Sequence, residues 1–213
     1  MAFSIDENKI DVTNSYCYLG VEISNTGSFL KATDILYKKA LKSLFSIYAS
    51  VNVRSDEKNT RLFLKLFDSL VKPVLLYGCG IWGPFATNPK NSVDKFVNKL
   101  YRTLLGVPSN SSTVGVHAEL GRFPLLVNIQ QAMIKYWFRI ISRPEDRLAA
   151  HCYWSILELN PTNDPWLNTI QNIINSTGLH TSKITVNPKP QGSLQVRKLY
   201  LSHPSGRFFA VCQ

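Results

Sequence analysis

A double apolar stripe between residues 62 and 71 constrains the fold more than any other feature. Leu62, Phe63, Leu66, Phe67, Leu70 and Val71 recur at helical spacing, in a band too wide for a surface helix. A helix carrying it must be covered on more than one side, so it is placed at the centre of a helical core. Ser55-Asp56-Glu57-Lys58 supplies its start, a Ser N-cap with acids in the first turn. Pro73 lacks a backbone donor and crowds the carbonyl four residues earlier, so it kinks or ends this helix, with a second short element running to Tyr77.

Other segments repeat the helical period. From about Phe29, the residues Ile35, Leu41, Leu44, Phe45 and Tyr48 recur on one side through Val51. Ser92 to Leu105 turns Val93, Phe96, Val97, Leu100 and Leu104 inward, and Gly106 fits its C-cap. Pro124 opens a helix from about Leu125 to Ser142 carrying Ile129, Met133, Trp137 and Ile140, and Pro144 ends it. Glu145 to Leu159 and Pro165 to Asn175 read as two more helices. The glycine-rich Gly78-Cys-Gly-Ile-Trp-Gly-Pro84 has no following Lys-Ser/Thr, so it is read as close packing beside Trp82 and not as a phosphate loop.

Ahead of the helices, Lys9 to Thr13 and Tyr16 to Ser24 read as a β-hairpin joined through Asn14-Ser15. The second strand runs through Leu19-Gly20, whose glycine lets another backbone come close. After Gly178, prolines, glycines and isolated basic residues read as an extended or poorly ordered tail, ending at Phe208-Phe209-Ala-Val-Cys212 in the manner of a chain cut from something longer. The expected fold is therefore mainly α, a helical bundle preceded by a short β-hairpin and followed by an extended C-terminal tail.

Charge points to the partner. Only 18% of the 213 residues are charged, yet 24 Lys and Arg face 14 Asp and Glu, a net +10. This favours a polyanion, nucleic acid before an anionic membrane surface. Lys31, Lys38, Lys39 and Lys42 fall on the first long helix. Lys95, Lys99 and Arg102 align at i, i+4, i+7 on another, and Lys135, Arg139 and Arg143 at i, i+4, i+8 on a third. Each row faces away from its helix's apolar stripe. One such row is an ordinary solvated face. Three without matching acids favour contact with a phosphate backbone. Tyr136 and Trp137 beside Arg139 have the chemistry to stack on bases, but aromatics at helical spacing belong more often to a core.

Catalytic chemistry is absent from the pattern. Two-metal polymerases and nucleases need converging carboxylates. The adjacent acids here, Asp6-Glu7, Asp56-Glu57 and Glu145-Asp146, do not follow a strand and turn, and the last two pairs suit helix starts. His117, His151, His180 and His203 form no ligand pair, and no nucleophile elbow occurs. Cys17, Cys79, Cys152 and Cys212 fit no zinc spacing; the first three lie among apolar residues and read as buried thiols. No metal site, cofactor, signal peptide or membrane span is expected, and the chain is placed inside the cell, in nucleus or cytoplasm, not secreted.

Three blocks in order resemble one family. Tyr18-Leu-Gly-Val-Glu-Ile23 comes first, then a basic helix and Leu66-Phe-Asp-Ser-Leu-Val-Lys-Pro-Val-Leu-Leu-Tyr-Gly-Cys-Gly-Ile-Trp82. Glu119-Leu-Gly-Arg-Phe-Pro-Leu125 with Lys135-Tyr-Trp137 comes last. From about Lys9 to Tyr153 the chain resembles the region after the catalytic palm in LINE-type retrotransposon reverse transcriptases, those without long terminal repeats. The resemblance implies that residues 1–28 are a palm-edge hairpin, with Tyr18, Leu19 and Gly20 primer-grip-like. Residues 29–110 would be a thumb-like bundle, 111–178 a downstream connector and 179–213 the tail. The basic helices would hold an RNA–DNA primer-template. The family's Asp-Asp metal pair, which uses Mg2+, lies upstream of the Tyr-Leu-Gly strand and has no counterpart here. The chain is thus expected to be a non-catalytic part of an RNA-directed DNA polymerase, working with a palm and fingers it does not contain. The alternative is a helical structural or protein-interaction domain, or a remnant without function.

Overall fold

The computed structural model describes residues 13–51, 57–86, 93–143, 147–159 and 164–176, together with the backbones of four short strands nearer the termini. Among these residues the protein is mainly helical, with antiparallel two-stranded hairpins at the N-terminus.

The hairpins differ from expectation. Asn8–Ile10 (β2) pairs with Phe3–Ile5 (β1), not with the Tyr16 stretch. The Tyr16 stretch folds on itself: Ser15–Tyr18 (β3) pairs with Val21–Ser24 (β4), Tyr18 facing Val21 and Tyr16 facing Ile23. Leu19 and Gly20 are therefore the turn and not the middle of a strand. Both have positive φ, 48° and 84°, as a two-residue type I′ turn requires, and that turn suits the twist of the flanking strands.

Leu30–Ser50 (α1) follows as a 21-residue helix. It buries Leu36, Ala40, Leu44 and Ile47 against the segment that holds the double stripe. That segment is Glu57–Leu66 (α2), a π turn at Phe67–Val71 and Lys72–Leu75 (α3). Pro73 causes the π turn: no proline N–H can continue the ladder and its ring crowds the preceding turn. The chain widens by one residue, and the Lys72 N–H reaches the Phe67 carbonyl. Pro73 thus neither ends the helical path nor breaks the core, since Phe63, Phe67 and Val71 are fully buried. Only one row of the stripe is covered, however; Leu62 and Leu70 are about half exposed.

Gly78, at φ 69°, turns the chain into Cys79–Trp82 (α4) and the 3-10 turn Gly83–Phe85. Trp82 is buried and donates its indole N–H to the Tyr77 carbonyl at 2.6 Å. Val93–Leu105 (α5) ends at Gly106, φ 65°, as the sequence indicates. Thr113–Glu119 (α6) is a helix the sequence reading passes over; Ser112 caps it by accepting the Gly115 N–H. Leu125–Ile141 (α7) packs on α4, α5, Leu148–Leu159 (α8) and Pro165–Ser176 (α9), so one continuous core runs from α1 to α9. The α4–α7 contact is tight because Gly80 sits where a Cβ would lie 3.2 Å from the Ala132 carbonyl, and at Gly83 it would strike the Met133 side chain.

The Ser55-Asp56 helix start, Glu145-Asp146, and the tail apart from Leu201–Ser202 (β5) pairing with Phe208–Phe209 (β6) lie outside the described residues.

Candidate nucleic-acid interface

α1 and α5 meet through Tyr37 and Phe96 without closing along their whole length. Between them runs an open groove of about 330 Å³. Its wall on α1 is Tyr37, Leu41, Leu44, Phe45 and Tyr48; on α5 it is Lys95, Phe96, Lys99, Leu100 and Thr103. Tyr37 meets Phe96 edge-on with ring centres 5.4 Å apart, and Tyr48 rests on Phe63 at 4.9 Å. Burial pushes the Tyr48 phenol above its ordinary value, so the floor stays neutral at physiological pH. No carboxylate lines the groove among the described residues.

The lips are basic. Lys95 and Lys99 stand one turn apart on the α5 side. On α1, Lys38, Lys42 and Phe45 fall at i, i+4 and i+7 and share one row. Lys38 pairs with Asp34 at 2.7 Å along the helix and remains largely exposed, an arrangement of small energetic weight. Lys39 points about 100° away from Lys38, off the groove side. Phe45 is 65% exposed. Its spacing puts it in the apolar row of α1, yet it lies at the solvent edge of that row, beside the lysines.

The other predicted residues are dispersed. Lys31 ties the hairpin to α1, ion-paired with Glu22 and donating to the Ser15 hydroxyl at 2.9 Å. Hydrogen bonds to the Glu22 carboxylate, from Lys31 first and then from Ser15, hold that carboxyl below its usual range. Arg102 is turned from the groove: its guanidinium donates to the Ser111 carbonyl at 3.2 and 3.0 Å and to the Thr113 hydroxyl at 2.7 Å, fastening the loop into α6. Lys135 and Arg139 are exposed on α7, Arg143 is exposed just past its end and so outside the expected helical row, and none of the three lines the groove. Trp137 is buried and donates to the Tyr153 hydroxyl at 3.0 Å, and Tyr136 meets Trp166 edge-on. Both are core residues, not stacking platforms.

Tyr18, Leu19 and Gly20 form the exposed hairpin tip, with Tyr18 57% and Leu19 72% accessible. The tip is anchored, because the Tyr77 hydroxyl donates to the Leu19 carbonyl at 2.8 Å. The first block of the family resemblance thus touches the second. The second block touches the third through Arg122 and Asp68, paired at 2.6 Å. Around that pair, His117 is buried with Nδ1 3.2 Å from the Arg122 carbonyl and Nε2 2.6 Å from Asn98 Oδ1, its ring edge-on to Tyr101. This node is structural, locking the π turn to the α6–α7 corner.

The cysteines divide. Cys79 is buried as expected, and burial pushes its thiol up to about 11. Cys17 and Cys152 are exposed, contrary to expectation. Cys17 alternates onto the hairpin face opposite Tyr16 and Tyr18, and Cys152 on α8 lines an open pocket shared with Ile81, Tyr136 and Trp166. Among the described residues no group of three or more His, Cys, Asp and Glu side chains could hold a metal, and no helix is long and apolar enough to cross a membrane.

No protein-family model, no curated protein and no solved structure matches this chain.

Proposed function

We propose that this chain binds nucleic acid along the α1–α5 groove, in the manner of the thumb of a LINE-type retrotransposon reverse transcriptase. In this reading it holds a primer-template and leaves phosphoryl transfer to a palm. The observation that carries it is a groove whose described lining includes Lys95 and Lys99 and no carboxylate, with Lys38 and Lys42 exposed on α1 in the row that runs through groove-lining Phe45. The three sequence blocks that resemble the family also meet in space, Tyr77 with Leu19 and Arg122 with Asp68.

Fluorescence anisotropy with a labelled RNA–DNA primer-template tests this reading. Affinity should fall with added salt, and Lys95→Glu with Lys99→Glu should lower the magnitude of the log–log salt slope by roughly one for each lysine. Affinity indifferent to salt would remove the backbone-binding claim.

A second reading, a protein-interaction domain, draws on the exposed apolar face of the hairpin, Tyr16, Tyr18 and Ile23. Nucleic-acid affinity unchanged by the lysine substitutions would favour it.

A further inference from the structure

Lysine lips serve a duplex and a single strand alike, because both present phosphates. An exposed aromatic ring between them does not. Bases inside a duplex are stacked on one another and offer a ring only at an end, whereas every unpaired base has a free face. Phe45 is such a ring. It stands 65% exposed, in one helical row with Lys38 and Lys42, on a groove whose far wall carries Lys95 and Lys99. It is not spent on a ring contact with Tyr48, which stacks inward on Phe63.

We propose that the α1–α5 groove takes an unpaired nucleic-acid strand, its phosphates running along Lys95 and Lys99 with Lys38 and Lys42 in reach on the row of Phe45, and one base stacked on Phe45. This rests on the nucleic-acid reading above and narrows it from backbone contact to strandedness. The neutral floor and the lack of a lining carboxylate suit a polyanion, and an aromatic platform flanked by basic side chains is how proteins hold single strands without reading their sequence.

The test compares a labelled oligouridylate with a blunt RNA–DNA duplex of equal length, using the full chain and anisotropy at fixed salt. Phe45→Ala should weaken oligouridylate binding roughly 5- to 150-fold, the range of one lost base stack, and leave the duplex nearly unchanged. Phe45→Trp should restore single-strand affinity. Circular dichroism serves as the folding control, and the exposure of Phe45 predicts an unperturbed fold. Equal weakening on both ligands, or none on either, overturns the strandedness claim while the lysine variants still report on backbone binding; the second result leaves the ring to a protein partner. Failure of the wild-type chain to bind either ligand overturns both claims.

Discussion

The α4–α7 and α1–α5 helix pairs are built from the same kinds of apolar rows and end in opposite states. At α4–α7, Gly80 and Gly83 let the backbone of one helix reach the side chains of the other, and the space is filled. At α1–α5, the rings of Tyr37, Tyr48 and Phe96 and the side chains of Lys95 and Lys99 line a groove that stays open. Side-chain bulk at a few contact positions thus decides whether a helix pair becomes core or surface. The closed pair leaves no gap along Gly80 and Gly83, and the space of about 300 Å³ beside it opens from Ile81, Tyr136 and Ile140 toward α8 and α9. The open one keeps cations and an aromatic ring at the solvent edge.

The sharpest way to break this contrast is to add bulk to each side. Gly83→Ala should destabilise the protein by about 1–3 kcal/mol in urea unfolding, because the new methyl has no space against Met133 and Ile129. Thr103→Leu on the groove wall should change stability by no more than about 0.5 kcal/mol. Equal costs would mean that the groove is packed as tightly as the core.

Thiol chemistry probes the same difference. Cys79 on α4, with its thiol raised to about 11 by burial, should resist a maleimide under native conditions at pH 8, while Cys17 and Cys152 react. Its pH dependence has a definite sign. A raised thiol pKa contributes stability that is complete below the ordinary value of 9.0 and is lost as pH rises toward about 11. Cys79→Ala should remove that part of the alkaline decline.

Smaller effects come from the hairpin, which is neither core nor groove. Leu19 holds a left-handed conformation that suits asparagine better than a bulky residue. Leu19→Asn, giving the Asn-Gly pair favoured in type I′ turns, should raise stability by about 0.5–1 kcal/mol. A loss would show that the leucine side chain makes a contact worth more than the strain. The least effect is expected at Glu22. Its lowered carboxyl supplies stability above the ordinary 4.5 that is lost as pH falls through the lowered value. Glu22→Gln should flatten that shallow acid limb, read by thermal unfolding at successive pH values.

How much of this was legible in the sequence depended on whether the cause was local or relational. Phe63, Phe67 and Val71 announced the core because their spacing alone implies a buried face. Gly106 announced a helix end because few other residues adopt its φ. The α4 glycines announced close approach, though not the helix they approach. The hairpin register was hidden because a leucine in a left-handed turn runs against its own preference, and only the paired strands make that conformation affordable. Short α6 was hidden by Gly115 in its middle, although Ser112 ahead of it was a usable cap signal. The basic residues were found, but not their sorting. Lys95 and Lys99 stay on the groove while Arg102, in the same row, is claimed by the Ser111 carbonyl, a partner nine residues away. Phe45 was misplaced for a related reason: periodicity says which residues share a side of a helix, not where the neighbouring helix stops covering it.

The π turn at Phe67–Val71 has a consequence for comparing sequences. A π turn holds one more residue than the α turn it replaces, so a chain built on the same plan with an unbroken helix would be one residue shorter there. Aligning the two would demand a single-residue gap inside a continuous helix, where gaps are ordinarily forbidden. Without that gap, the pairing of Asp68 with Arg122 and the glycine spacing downstream would fall out of phase together.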